Sequence, residues 1–178
     1  MTRTLRFEMA IVDLLIEHPG WREALPEIDD IAEQAAAMAL NVLRNSDRPF
    51  EICIMACDDD RIAALNGEFR EKPLPTNVLS WPAFDLAPSV PGGVPEEPPA
   101  SMVAGQPVFL GDVAISLQTL EREADAASRP LKSHAMHLIL HGCLHLLGFD
   151  HESPEDAGRM EALETRTMIS AGFCDPYA

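Results

Sequence analysis

The chain has 178 residues, 47% of them hydrophobic, enough for one domain with a sizeable core and too few for two. Thirteen basic residues stand against 29 acidic ones, a formal net charge of −16, which favours solubility and opposes nonspecific attraction to nucleic acid or an anionic membrane. Four cysteines without a paired framework suit a reducing cytoplasm, and Glu8, Asp13 and Glu17 interrupt the first apolar run, so neither export nor a membrane span is expected.

Leu5, Phe7, Met9 and Ile11 alternate with Arg6, Glu8 and Ala10, the period of a half-buried strand, and a turn with Pro19 and Gly20 follows. Ile28, Ile31, Ala35, Met38 and Val42 recur at helical spacing, with Asp29 and Asp30 in the first turn; the pattern predicts an amphipathic helix from Ile28 to about Asn45. Phe50 to Cys57 is almost wholly apolar and reads as a strand buried on both faces. Asp58, Asp59 and Asp60 precede a second helical pattern, Ile62, Leu65 and Phe69, and are read as its cap and dipole partners; a metal site there lacks a neighbouring histidine. A proline-locked connection then leads to a short strand before Pro82, and Arg70 and Lys72, two of only 13 basic residues, are placed on that connection.

Residues 85–107 hold six prolines, three glycines and no lysine or arginine, which predicts a long surface loop, dispensable for folding, within a single domain spanning 1–178. Val108 to Ser116 reads as another strand, with Ser116 capping the helix that carries Leu117, Leu120 and Ala124. Pro130 suits the first turn of a central helix, apolar on most sides, running to about Leu147. Ser153-Pro154-Glu155-Asp156 opens a last helix that ends near Gly172. These elements predict an α+β domain of about four strands with helices packed on the sheet.

The densest chemistry sits at the end of the central helix. His141 and His145 stand four apart, so they project from one helical face about one turn apart. Gly148 can stop the helix in a left-handed conformation and return His151 toward them. Three imidazoles leave a fourth position open, the arrangement of catalytic rather than structural zinc, so one zinc ion per chain is expected on His141, His145 and His151. His137, one turn earlier, is open to three readings: supporting partner of a ligand, substrate contact, or hydrogen-bonded core histidine. The spacing is that of the metzincin peptidases, His-Glu-x-x-His-x-x-Gly-x-x-His, but Gly142 stands where their glutamate base would be. A glycine takes no proton, so the pattern points to a different metal-assisted hydrolysis.

The segment from Ala135 to His151, ending Leu-His-Leu-Leu-Gly-Phe-Asp-His, resembles the YbeY family of single-strand-specific endoribonucleases. A second segment is similar to the family pattern too: Leu65-Asn66, Phe69-Arg70, then Thr76-Asn77-Val78-Leu79-Ser80-Trp81-Pro82, with Asn77 in the family's aspartate slot and Trp81 in its phenylalanine slot. Phe109 to Ser116 and Glu161-Ala162-Leu163-Glu164 extend the likeness. The resemblance implies a zinc-dependent endoribonuclease with Arg70 as active-site arginine, acting in 16S rRNA 3′-end maturation and ribosome quality control in a bacterial cytoplasm. Its partners would be single-stranded RNA, such as the 16S rRNA precursor, and the small ribosomal subunit or its assembly factors, with no DNA and no membrane. Whether water or the RNA's own 2′-hydroxyl attacks is left open. The rival readings are a metzincin-like zinc peptidase or other small-substrate hydrolase, and a non-catalytic ribosome-associated zinc protein.

Overall fold

The computed structural model describes residues 10–43, 48–103 and 105–178. Its elements in chain order are β1 (Ala10–Ile16), α1 (Gly20–Ala24), α2 (Ile28–Leu40), β2 (Phe50–Cys57), α3 (Asp59–Arg70), β3 (Val78–Pro82), β4 (Val108–Ser116), α4 (Leu117–Ala126), α5 (Leu131–Leu146) and α6 (Pro154–Ser170). The strands form a mixed sheet in the order β1-β2-β4-β3, with β1, β2 and β4 parallel and β3 antiparallel at one edge. This is a single α+β domain.

Side chains alternate across a strand, and β2 uses the two faces unequally. Phe50, Ile52, Ile54 and Ala56 join Val113 and Ile115 of β4 in the main core, against which α2 and α5 pack. The opposite face is covered only where Ile62 of α3 meets Cys57, Leu79 and Ala114. Glu51, Cys53 and Met55 therefore stay partly exposed, and the expectation of a strand buried on both faces holds only under α3, because one 12-residue helix does not span the sheet. Helix α5 packs against α2, α4, α6, β3 and β4, and Met136, Leu140 and Leu144 are fully buried, as its apolar circumference predicts.

Several local expectations need correction. The first described strand is Ala10–Ile16, and its phase is the reverse of the expected one: Ala10, Val12, Leu14 and Ile16 pack against the core while Ile11 is exposed; Leu5, Phe7 and Met9 of the predicted strand lie outside the described residues. The Pro19-Gly20 turn opens the short helix α1, anchored by Trp21, whose indole donates to the Cys57 carbonyl at 2.8 Å. Helix α2 ends at Leu40, and Asn45 lies outside the described residues. Asp58 caps α3 by accepting from Arg61 N, as expected. Ser116, however, does not cap its own helix: its hydroxyl donates to Asp59 Oδ1, and that oxygen also accepts from Thr119 N at 3.1 Å. The α4 cap thus comes from α3.

The described residues of 85–107 form neither helix nor strand, and part of the segment is pinned to the domain. Leu86 is buried, Gly92 N donates to Asp156 Oδ1 at 2.8 Å, and Arg159 donates to the Gly92 and Gly93 carbonyls. The loop is tied to the start of α6.

Candidate metal centre

Helix α5 ends in a hydrogen-bonding pattern that explains how the third histidine returns. Gly148 N donates to the His145 carbonyl at 3.0 Å and Phe149 N to the Leu144 carbonyl at 3.1 Å, the paired bonds of a Schellman motif. Gly148 takes φ +81, and a Cβ there would meet the Leu86 carbonyl oxygen at 2.5 Å. Both the backbone conformation and the close approach require glycine. The chain therefore reverses within three residues and presents His151 to the histidines it has just left.

His141, His145 and His151 each offer a ring nitrogen, and the three lie within 4.8 Å of one another. His141 Nε2 and His145 Nε2 are 3.1 Å apart, and the His141 and His151 rings stack with centroids 5.4 Å apart. Burial, then the neighbouring His141 and His151, push His145 down to about 4, against Asp150 and a backbone hydrogen bond at Phe149, so its imidazole is neutral near pH 7. His141 Nδ1 is 2.8 Å from Glu164 Oε1. A carboxylate accepts, so Nδ1 carries the proton and Nε2 keeps its lone pair facing His145. Two nitrogens on one tetrahedral zinc at about 2.0–2.1 Å lie roughly 3.3 Å apart, so this donor set fits such an ion.

Glu164 is the residue that sequence reasoning did not assign. It is fully buried in the middle of α6, where Met160, Glu164 and Met168 stand at i, i+4 and i+8. A carboxylate interrupting an apolar stripe was the available signal, since a buried charge demands partners. Burial alone would push its carboxyl up, but the imidazoles of His137 and His141 and the Tyr177 hydroxyl outweigh it and hold it down at about 2. His137 Nε2, otherwise buried without a hydrogen-bond partner, stands 3.5 Å from Glu164 Oε1. His137, His141 and Glu164 thus make a second group compatible with a metal ion, overlapping the first at His141.

Beside the three histidines opens a cleft of about 430 Å³, lined by His145, Asp150 and Phe149 on one side and by Ser80, Asp85 and Arg70 on the other. Arg70 is the last residue of α3 rather than part of the connection, because Glu71 turns left-handed at φ 58 and ends the helix there; Lys72 lies beyond it. Sheet topology brings Arg70 to His145: β3 is the edge strand, and α3 on one face and α5 on the other both end beside it. Asn77 goes elsewhere, its amide donating to both oxygens of Glu123 at 3.1 Å. The three aspartates at the start of α3 gather no histidine among the described residues; Asp58 and Asp59 are spent on caps.

Gly142 faces the sheet. A Cβ at this position would lie 2.7 Å from Val113 Cγ1 and 3.3 Å from Val78 Cγ2. The glutamate of a metzincin has no room here.

A family model described as Endoribonuclease YbeY matches residues 20–172. Among relatives called Endoribonuclease YbeY, that of Ruegeria pomeroyi is 49% identical over 93% of this chain and 97% of its own length, and that of Dinoroseobacter shibae is 48% identical over 99% and 97%. The solution structure of a Thermotoga maritima protein, 18% identical, superposes with a TM-score of 0.51 over 91% of this chain and 92% of that one, a likeness of fold. Among the described residues no helix is long and apolar enough to cross a membrane.

Proposed function

This chain belongs to the YbeY endoribonuclease family and is a hydrolase of RNA, and we propose that it cleaves single-stranded RNA with one zinc ion held by His141, His145 and His151. The observation that carries the metal assignment is the convergence of three imidazoles, whose ring nitrogens lie within 4.8 Å of one another with His141 Nε2 and His145 Nε2 at 3.1 Å, while Glu164 holds the far nitrogen of His141. Bound there, zinc supplies Lewis acidity and lowers the pKa of a water toward about 7.

The chain's own residues divide the remaining work. Glu164 accepts the His141 Nδ1 proton, which fixes the tautomer and the direction of Nε2. Arg70, in the same cleft as His145, offsets charge on the phosphate as it becomes pentacoordinate, with a planar fork suited to two phosphoryl oxygens. Asp85 and Asp150 make the cleft walls acidic, so without the metal Arg70 faces them with little positive support. Sequence-independent attraction to RNA is correspondingly weak for a chain of net charge −16, which favours a substrate delivered by a larger assembly. We assign the activity to 16S rRNA 3′-end maturation and ribosome quality control in the cytoplasm, with the small ribosomal subunit or its assembly factors as partners.

The deciding experiment pairs elemental analysis of purified protein with cleavage of a single-stranded RNA, with and without chelator. One zinc per chain and chelator-sensitive cleavage, restored by added zinc, are expected. Full cleavage by metal-free protein would overturn the zinc assignment.

A further inference from the structure

We propose that the C-terminal tail is a positioning strap for the metal centre, acting through Tyr177 on Glu164; this rests on the proposed metal ligands. Beyond α6 the chain turns at Gly172, φ +87, and runs back along α6. Two tethers hold the tail. Asp175 Oδ1 accepts from Thr165 Oγ1 at 3.0 Å and from Tyr177 N at 2.9 Å, while Arg129, just before α5, donates to the Pro176 carbonyl and to Ala178 O at 3.1 Å. The tail is thereby clamped between the start of α5 and the body of α6, and Tyr177 meets the histidine face of α5. Its ring packs edge-on to His137, with centroids 5.5 Å apart, and its hydroxyl donates to Glu164 Oε2.

The consequence lies in how the two oxygens of Glu164 are shared. The side chain is fully buried and has no access to water, so its partners must come from the protein. Oε1 serves His141, and Oε2 serves Tyr177, whose hydroxyl burial and then the adjacent carboxylate push up, keeping it a donor. His137 Nε2, 3.5 Å from Oε1 and without another partner, competes for the same carboxylate. Tyr177 fixes the carboxylate plane so that Oε1 stays on His141, and with it the direction of His141 Nε2. Without the hydroxyl, Oε2 is left unsatisfied and the carboxylate is free to turn toward His137. The family model's own match ends at residue 172, before the strap.

Tyr177 is 46% exposed, and Tyr177→Phe keeps the ring while deleting only the donor, so the fold is retained. Zinc affinity is measured by competition with a chromophoric chelator for wild type, Tyr177→Phe, Glu164→Gln and the double variant, together with the melting temperature of each metal-free protein. Tyr177→Phe is expected to bind zinc about tenfold more weakly, the lower end of the effect of removing a ligand's supporting partner, with the metal-free melting temperature nearly unchanged. In the Glu164→Gln background the same change should cost nothing further, because the relay is already broken. Unchanged zinc affinity in Tyr177→Phe, beside a wild type that binds zinc, overturns the strap alone. An equal loss in both backgrounds shows an effect that bypasses Glu164 and overturns the relay. A wild type that binds no zinc overturns the metal assignment as well.

Discussion

Glu164 Oε1 and His141 Nδ1, 23 residues apart in the chain, meet at 2.8 Å and join α6 to α5 directly behind the converging histidines. A carboxylate in this position orients the imidazole and raises its basicity, so with the proposed ion on His141, His145 and His151 it would tune metal affinity as a supporting partner.

Glu164→Gln keeps the shape and removes the charge. Zinc affinity should fall roughly 10- to 100-fold, measured by chelator competition. Wild-type affinity in this variant would show that the His141 tautomer needs no carboxylate.

His151 arrives on an exposed turn and contributes little burial, so His151→Ala should leave the fold intact. A tetrahedral site rarely survives on two protein ligands, and the purified variant should lose most of its zinc. Elemental analysis showing full occupancy would exclude His151 as a ligand.

Arg70→Ala should retain zinc and fold while losing roughly 10²-fold in turnover, and Arg70→Lys should recover only part, because lysine lacks the bidentate fork. If Arg70 also holds a ground-state phosphate, the salt dependence of RNA binding should flatten by about one contact. Unchanged turnover, affinity and salt slope would return Arg70 to the role of a surface cation.

At Gly142 a methyl group collides with Val113 Cγ1 at 2.7 Å. Gly142→Ala should therefore destabilise by about 1–3 kcal/mol despite alanine's better helix propensity. For a chain of this length that is about 2–4 °C of melting temperature per kcal/mol, read by calorimetry. A rise in melting temperature would mean that α5 can lift from the sheet.

Asp59 ties α3 to α4. Burial alone would push its carboxyl up, but hydrogen bonds from Ser116, Thr119 and Arg122 outweigh it and leave it below its ordinary value. A depressed carboxyl stabilises the fold above its unfolded pKa, and that contribution disappears as pH falls through the folded pKa. Asp59→Asn should cost about 1–2 kcal/mol at pH 7. The gap from wild type should begin to narrow as pH falls through the ordinary carboxylate value of about 3.9 and should close only as pH falls through the lower folded value. A gap independent of pH would mean that geometry, rather than charge, sets the cap.

The elements with local causes were legible in the sequence. Asp58 caps α3 three residues before its partner, the β2 and β4 runs are mostly apolar, interrupted by Glu51 and Asp112, and the i, i+4 spacing of His141 and His145 followed by Gly148 states a helix, a stop and a return. Each depends on atoms within a few residues of one another, so periodicity and backbone preference suffice to find it. Tertiary structure alone decided what crosses between elements. Glu164 reaches His141 because α6 packs on α5, Asp59 displaces Ser116 as the cap of α4 because α3 lies beside it, and Gly142 excludes a side chain because Val113 of β4 lies beneath it. Arg70 enters the cleft with His145 only because β3 is an edge strand that two helices overhang. Partners of this kind are chosen by which faces bury together, and no residue's own neighbourhood in the chain encodes that choice.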